Sequence, residues 1–192
     1  MWGLCPAYAQ RAPTLVVLGD SLSAEYGLRR GAGWVELLNQ RLARSKRPYD
    51  VVNASISGET TAGGRSRIGD LLQKHRPSIV VIELGGNDAL RGLDLKSTET
   101  NLRQMVQLSR QAGAKALLVG MMLPPNYGRV FGEQFANLFK TVARTEGSAL
   151  APYLLDGFGE RLELFQADRI HPTEQAQALM LENVWPALQK LL

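Results

Sequence analysis

The chain has a single cysteine, Cys5, in 192 residues. No intramolecular disulfide and no cysteine-built zinc site can form, and thiols say nothing about redox compartment. No apolar stretch approaches the roughly 20 residues that span a bilayer, so stable membrane insertion is not expected. No internal repeat of about 20–50 residues is visible, which excludes a solenoid. Neither a Gly-x-x-x-x-Gly-Lys-Ser/Thr loop nor a Gly-x-Gly-x-x-Gly fingerprint occurs, and this argues against a nucleotide-binding module built on the same fold class. Charge is also thin: 22 basic against 18 acidic residues leave a formal +4. The local cluster Arg41, Arg44, Lys46 and Arg47 suits a solvated helix end, where cations complement the helix dipole. With no aromatic or groove-reading motif beside it, nucleic acid is not an expected partner. Histidine is scarce, two in the chain, so histidine chemistry must fall on His75 or His171. His75 precedes Arg76-Pro77 at a helix end and reads as a dipole-matched surface residue.

What is present fits one enzyme domain. Hydrophobic residues make up 45% of the chain, enough for a single core at this length. No Pro- or Ser-rich stretch is long enough to act as an interdomain linker, so residues 13–192 are expected to form one domain after an N-terminal extension, 1–12. In that extension Ala7-Tyr8-Ala9 places small residues where signal peptidase requires them. Met1 to Cys5 is too short for a leader's basic and apolar regions, so the segment reads as a signal-peptide remnant and the protein as periplasmic or secreted.

Short runs rich in Val, Ile and Leu alternate with helical periodicity. The strands are expected at Thr14–Leu18, Asp50–Asn53, Ser78–Leu84, Lys115–Gly120 and about Ala149–Leu155. Helices are expected at Gly33–Arg44, Thr61–Lys74, Thr98–Gln111 and Phe131–Thr145, with a last one after Pro172. The strands are continuously apolar rather than alternating, which indicates burial on both faces and therefore a parallel sheet covered by helices. The expected fold class is α/β, a three-layer α/β/α sandwich around a central, mainly parallel five-stranded sheet.

Ligands of open parallel sheets bind beyond the carboxyl ends of the strands. There the chain places Gly19-Asp20-Ser21, then Ala54 to Thr60, then Gly85-Gly86-Asn87-Asp88, then Met121 to Gly128. Asp168-Arg169-Ile170-His171-Pro172 lies beyond the fifth strand and can reach the same edge. A serine hydroxyl needs an adjacent base, and that base an orienting group, before it attacks a carbonyl. Ser21 is the candidate nucleophile, His171 the base that moves its proton, and Asp168 the acid that holds the imidazole. Pro172 presets the backbone for a helix start just after His171. Three donors are candidates for an oxyanion hole: the backbone N–H groups of Ser21 and Gly58 and the side-chain amide of Asn87. Asp20 is too close in sequence to Ser21 to orient His171 and reads as a loop-holding residue. Taken alone, Asp88 reads as a helix cap.

In these blocks the chain resembles the SGNH (GDSL) hydrolase superfamily. Gly19-Asp20-Ser21-Leu22-Ser23, Gly58 within Asn53 to Thr60, Gly85-Gly86-Asn87-Asp88 and Asp168-x-x-His171-Pro172 stand in the family's order and cover nearly the whole chain. Asn-Ala-Ser-Ile-Ser-Gly and Leu-Pro-x-Asn-Tyr-Gly are similar to its bacterial thioesterase I, lysophospholipase and arylesterase group. The resemblance implies a flavodoxin-like sandwich and the residues Ser21, Gly58, Asn87 and His171 with Asp168 as third triad member. It further implies a cofactor-free and metal-free hydrolase of carboxylic esters and acyl thioesters, including lysophospholipids, acyl-CoA and aryl esters. The expected partner is then a small molecule carrying an acyl chain, and the protein a monomer or weak dimer. Two residues depart from the family pattern: Glu59 stands where Asp is expected, and Arg169 where Gly is expected.

The acyl pocket is expected from Met122, Leu123, Pro124, Pro125 and Tyr127, with Leu90 to Leu93 as a lip beside Asn87. Met121 and Met122 fit equally well as the core end of the fourth strand. The same catalytic parts serve a carbohydrate O-deacetylase, which only the pocket would distinguish. A noncatalytic flavodoxin-like binding module is the third reading.

Overall fold

The structure is a computed structural model that describes residues 12–192. Cys5, Ala7-Tyr8-Ala9 and nearly all of the expected extension lie outside the described residues. Five strands, β1 (Thr14–Gly19), β2 (Asp50–Asn53), β3 (Ile79–Glu83), β4 (Lys115–Val119) and β5 (Ala149–Ala151), form one sheet in the order β2-β1-β3-β4-β5. Every pairing is parallel, as the continuously apolar runs require. β5 stops at Ala151, shorter than its apolar pattern suggests, because Pro152 has no N–H to continue a ladder.

Strand residues alternate between two cores. Leu15, Val17, Ile79, Val81, Leu117 and Val119 face one cluster with Trp34, Leu38 and Met180. Leu18, Val80, Ile82, Leu84 and Leu118 face the other, with Ile68, Met105, Phe135 and Phe139. The first layer is α1 (Trp34–Ala43) with the last helix, α6 (Gln177–Leu188); the second is α2 (Thr61–His75), α4 (Leu95–Gln111) and α5 (Arg129–Glu146). This is the expected three-layer α/β/α sandwich. No helix among the described residues is long and apolar enough to cross a membrane.

Three local expectations change. The segment Gly86–Leu90, outside the expected helices, is a short helix, α3. α4 begins at Leu95 rather than Thr98 because Asp94 caps it, its carboxylate accepting from Ser97 N–H at 2.8 Å. α6 does not start directly after Pro172: a 3₁₀ turn at Glu174–Ala176 comes first. Gln177, at the start of α6, then accepts from Trp34 N–H at 3.1 Å, so one buried amide satisfies an orphan donor of α1 and ties the two helix starts together.

The strand order fixes where a site can form. Chain connections leave β1 toward β2 on one side, while β3 and the later strands build on the other. The crevice between the carboxyl ends of β1 and β3 is the topological switch point of this order. Ser21 follows β1 and Asn87 follows β3.

Candidate active site

Ser21, His171 and Asp168 form one hydrogen-bonded chain. His171 Nε2 lies 2.8 Å from Ser21 Oγ, and His171 Nδ1 lies 2.7 Å from Asp168 Oδ2. Asp168 is an acceptor, so Nδ1 carries the proton and donates; Nε2 is then left to accept the Ser21 hydroxyl proton. The geometry follows from local chain chemistry. Phe165 and Pro172 form an antiparallel bridge, with Gln166 N–H donating to His171 O at 2.8 Å and Thr173 N–H to Leu164 O at 2.7 Å. Inside that loop Asp168 Oδ1 accepts from the N–H groups of Ile170 (2.9 Å) and His171 (3.0 Å). Burial tends to raise the Asp168 pKa, but these two N–H groups and the His171 ring outweigh it and hold the carboxyl down at about 2. Arg169 sits at the tip with φ 58.

The oxyanion candidates come together at the same edge. Gly58 has φ +78, the left-handed region where a side chain is strained. Arg91 Nη2 donates to Gly58 O at 2.9 Å, linking that turn to the end of α3. Among the described residues neither Ser21 N–H nor Gly58 N–H is spent on a protein acceptor. Asn87 differs: its Nδ2 donates to Asp20 Oδ2 at 3.0 Å and to Glu59 O at 3.0 Å.

Asp20 is 2% exposed and accepts from Leu22 N–H as well. Burial pushes its pKa up to about 6, while the Leu22 N–H, the charge of His171 and the Asn87 amide pull it back. It therefore holds the loop, as its sequence position suggests. Asp88 is a cap, but not of its own helix. Its Oδ2 accepts from Thr61 N–H at 2.9 Å and its Oδ1 from the Thr61 hydroxyl, so it closes the start of α2 from across the site. Glu59, in place of the expected Asp, pairs with Arg67 at 2.7 Å. His75 ends α2 far from the triad residues, on the other edge of the sheet.

The acyl-pocket residues share the site's edge of the sheet but differ in exposure. Met121 is 6% exposed and Met122 55% exposed, so the first belongs to the core and the second does not. Leu123 packs partly on the α2/α4/α5 core; Leu90 is half-buried and Pro124 exposed. Pro125–Tyr127 form a 3₁₀ turn, with Tyr127 exposed. An open surface depression of about 390 Å³ is lined by Gly27, Leu28, Glu163, Gln166, Thr173 and Glu174 among others, and none of the expected wall residues borders it.

Two neighbours of the triad residues escape a reading of the sequence. The Tyr26 ring lies against the His171 ring, centroids 4.4 Å apart. Glu83, the last residue of β3, sits fully buried beneath the Ser21 turn; its one trace in the sequence is an acid inside an apolar strand.

A serine hydroxyl on an imidazole on a carboxylate, at the switch point of a doubly wound sheet beside free N–H donors, defines a serine hydrolase of the α/β/α class. The family model for the GDSL-like lipase/acylhydrolase family matches residues 17–179, and the chain belongs to that family. It is 51% identical to the esterase TesA of Pseudomonas aeruginosa, over 94% of this chain and 90% of that one. It is 41% identical to the thioesterase 1/protease 1/lysophospholipase L1 of Escherichia coli K12, over 96% of this chain and 87% of the other. The crystal structure of a psychrotrophic esterase, EstA from Pseudoalteromonas sp., inhibited by monoethylphosphonate, superposes with a TM-score of 0.86 at 36% identity, over 92% of this chain and 97% of that one. The chain is an ester hydrolase acting on small-molecule esters.

Proposed function

We propose that residues 13–192 form one hydrolase domain that cleaves carboxylic esters and acyl thioesters through an acyl-enzyme on Ser21. Aryl esters, lysophospholipids and acyl-CoA are the substrate classes. Ser21 Oγ attacks the acyl carbon while His171 Nε2 takes its proton. The oxyanion is received by the N–H groups of Ser21 and Gly58 and by Asn87 Nδ2. His171 returns the proton to the leaving alcohol or thiol as the acyl–oxygen or acyl–sulfur bond breaks. Water then attacks the acyl-enzyme with His171 again as base, releasing the acid and restoring Ser21. Asp168 keeps its charge throughout and stabilises the imidazolium.

The observation that carries this reading is the continuous chain from Asp168 Oδ2 through His171 to Ser21 Oγ, at 2.7 and 2.8 Å. Support for apolar acyl groups comes from Met122 (55% exposed) and Tyr127 (36% exposed) at the same edge of the sheet. Ala7-Tyr8-Ala9 supports a location in the periplasm or outside the cell.

The test is hydrolysis of p-nitrophenyl esters from acetate to palmitate, and of an acyl-CoA, by the protein and by Ser21→Ala. The variant is expected to lose on the order of 10⁴-fold or more in kcat, and turnover peaking at medium chains would favour the thioesterase and lysophospholipase reading. Full activity in Ser21→Ala would remove the nucleophile assignment. Turnover confined to acetate would make the protein an O-deacetylase instead.

A further inference from the structure

We propose that Glu83 is a positioning residue for the nucleophile: its carboxyl, at the carboxyl end of β3, clamps the Gly19–Ser23 turn from below and thereby sets where Ser21 Oγ stands. The inference rests on the reading of Ser21 as nucleophile. Glu83 is 0% exposed and stands opposite Gly19 in the β1/β3 register. Its Oε2 accepts from the Ser23 hydroxyl at 2.6 Å and from Asp20 N–H at 3.3 Å. These two residues flank Ser21 and Leu22, so both ends of the nucleophile turn are fastened to one oxygen. The clamp is itself anchored: Trp34, 0% exposed in the α1 core, donates its Nε1–H to Ser23 Oγ at 3.2 Å. A Cβ on Gly19 would come within 2.6 Å of Glu83 Oε2, so the glycine of Gly-Asp-Ser lets the strand lie against the carboxyl.

The second oxygen, Oε1, is buried and has no partner among the described residues. A charged carboxylate left in this state would carry a large desolvation cost. Burial, with the charge of Asp20 adding to it, pushes the Glu83 carboxyl well above the ordinary carboxylate range. Oε2 is thus the oxygen that holds the turn, accepting from both Ser23 and Asp20. A carboxyl that touches neither substrate nor His171 acts on the reaction only through where it holds Ser21. Displacements on the order of 1 Å at a reacting atom cost about 10²-fold in rate.

The test compares Glu83→Leu, Glu83→Gln and Ser23→Ala in the full chain. Folding is followed by circular dichroism, kcat and KM on p-nitrophenyl butyrate, and Ser21 reactivity by the rate of labelling with a p-nitrophenyl phosphonate, with the labelled residue read by mass spectrometry. Glu83→Leu is expected to lose about 10–100-fold in kcat and in labelling rate with KM within about twofold. Glu83→Gln, which keeps the side-chain length and an accepting oxygen, is expected to recover most of that loss. Ser23→Ala is expected to lose less, and to add little on top of Glu83→Leu because the two act as one unit. A folded Glu83→Leu that labels at the wild-type rate overturns the clamp, as does a Glu83→Gln as slow as Glu83→Leu. If Glu83→Leu does not fold, Ser23→Ala decides, and an unchanged kcat overturns the proposal. Wild-type label on a residue other than Ser21 overturns the nucleophile reading and the clamp with it; label on Ser21 at an undiminished rate in Glu83→Leu overturns the clamp alone.

Discussion

Asn87 donates its side-chain amide to Asp20, Nδ2 to Oδ2 at 3.0 Å. Its second hydrogen goes to Glu59 O at the same distance, so in the resting protein both are spent. To receive an oxyanion, Asn87 must share or exchange one of them. It is thus both a proposed catalytic donor and a strut between the loops after β1, β2 and β3. Asn87→Ala is expected to lower kcat about 10²–10³-fold and also to cost about 1–2 kcal/mol of stability, because Asp20 loses a donor in a buried place. Steady-state kinetics and the urea midpoint measure the two effects separately.

The raised Asp20 pKa makes a prediction about stability and pH. The group titrates at about 6 in the folded protein against an ordinary 3.8. Between those values the folded state holds the proton more tightly than the unfolded one. The contribution is therefore fully present below about pH 4 and is lost as pH rises through about 6. Asp20→Asn removes this titration. Relative to wild type, the variant is expected to gain on the order of 2 kcal/mol between pH 4 and pH 7, read from urea denaturation at the two pH values. Asp168 acts in the opposite direction and in a different window: with its pKa near 2, its contribution is lost only as pH falls from about 4 through 2. Because Asp168 is present in both proteins, it cancels in the comparison.

What the sequence made legible and what it hid divide along a physical line. Ser21 and Asn87 are readable because each belongs to a short motif at a strand end, and parallel topology delivers strand ends to one edge; Asp168 and His171 are readable from their own three-residue spacing, since their loop lies well past the end of β5. Gly58 is readable from its place in the Asn53 to Thr60 block after β2, where a glycine lets the backbone come close to a ligand. Asp88 shows the limit. A cap is visible, but its partner Thr61 lies 27 residues away, and local spacing contains nothing about that contact. Met121 and Met122 show another. They are chemically identical neighbours just past the end of β4, and the turn of the chain there buries one and exposes the other. Glu83 was hidden by its setting: one acid in an apolar strand averages away in any periodicity, though burial makes it the more consequential residue.

Arg169 carries a cost that can be removed. It has φ 58, where a non-glycine residue pays about 1–2 kcal/mol, and the resemblance leads one to expect glycine there. Glycine also loses more entropy on folding, which offsets some of the gain. Arg169→Gly is expected to be more stable by about 0.5–1 kcal/mol, raising the melting temperature by about 1–4 °C. The Asp168 and His171 bonds do not use the Arg169 side chain, so kcat on p-nitrophenyl butyrate is expected to stay within about twofold. A fall beyond that would assign the guanidinium a role in substrate binding.

Tyr26 joins the two halves of the site. Its ring lies 4.4 Å from the His171 ring at an interplanar angle of 39°, its N–H donates to Ser21 O at 3.4 Å, and its carbonyl accepts from Gln166 Nε2 at 2.9 Å. The backbone bonds survive any side-chain change, so a substitution here isolates the ring. Aromatic packing of this kind is worth about 0.5–1.5 kcal/mol, which sets the expected loss for Tyr26→Ala at about 2–10-fold in kcat/KM, with Tyr26→Phe near wild type because the hydroxyl makes no hydrogen bond among the described residues. The ring is also half exposed and so is a candidate wall for an acyl chain. The phosphonate labelling rate separates the roles. If Tyr26→Ala slows labelling by a small phosphonate as much as it slows turnover, the ring acts by holding His171. If labelling is unchanged and only KM for longer acyl esters rises, the ring acts on the substrate.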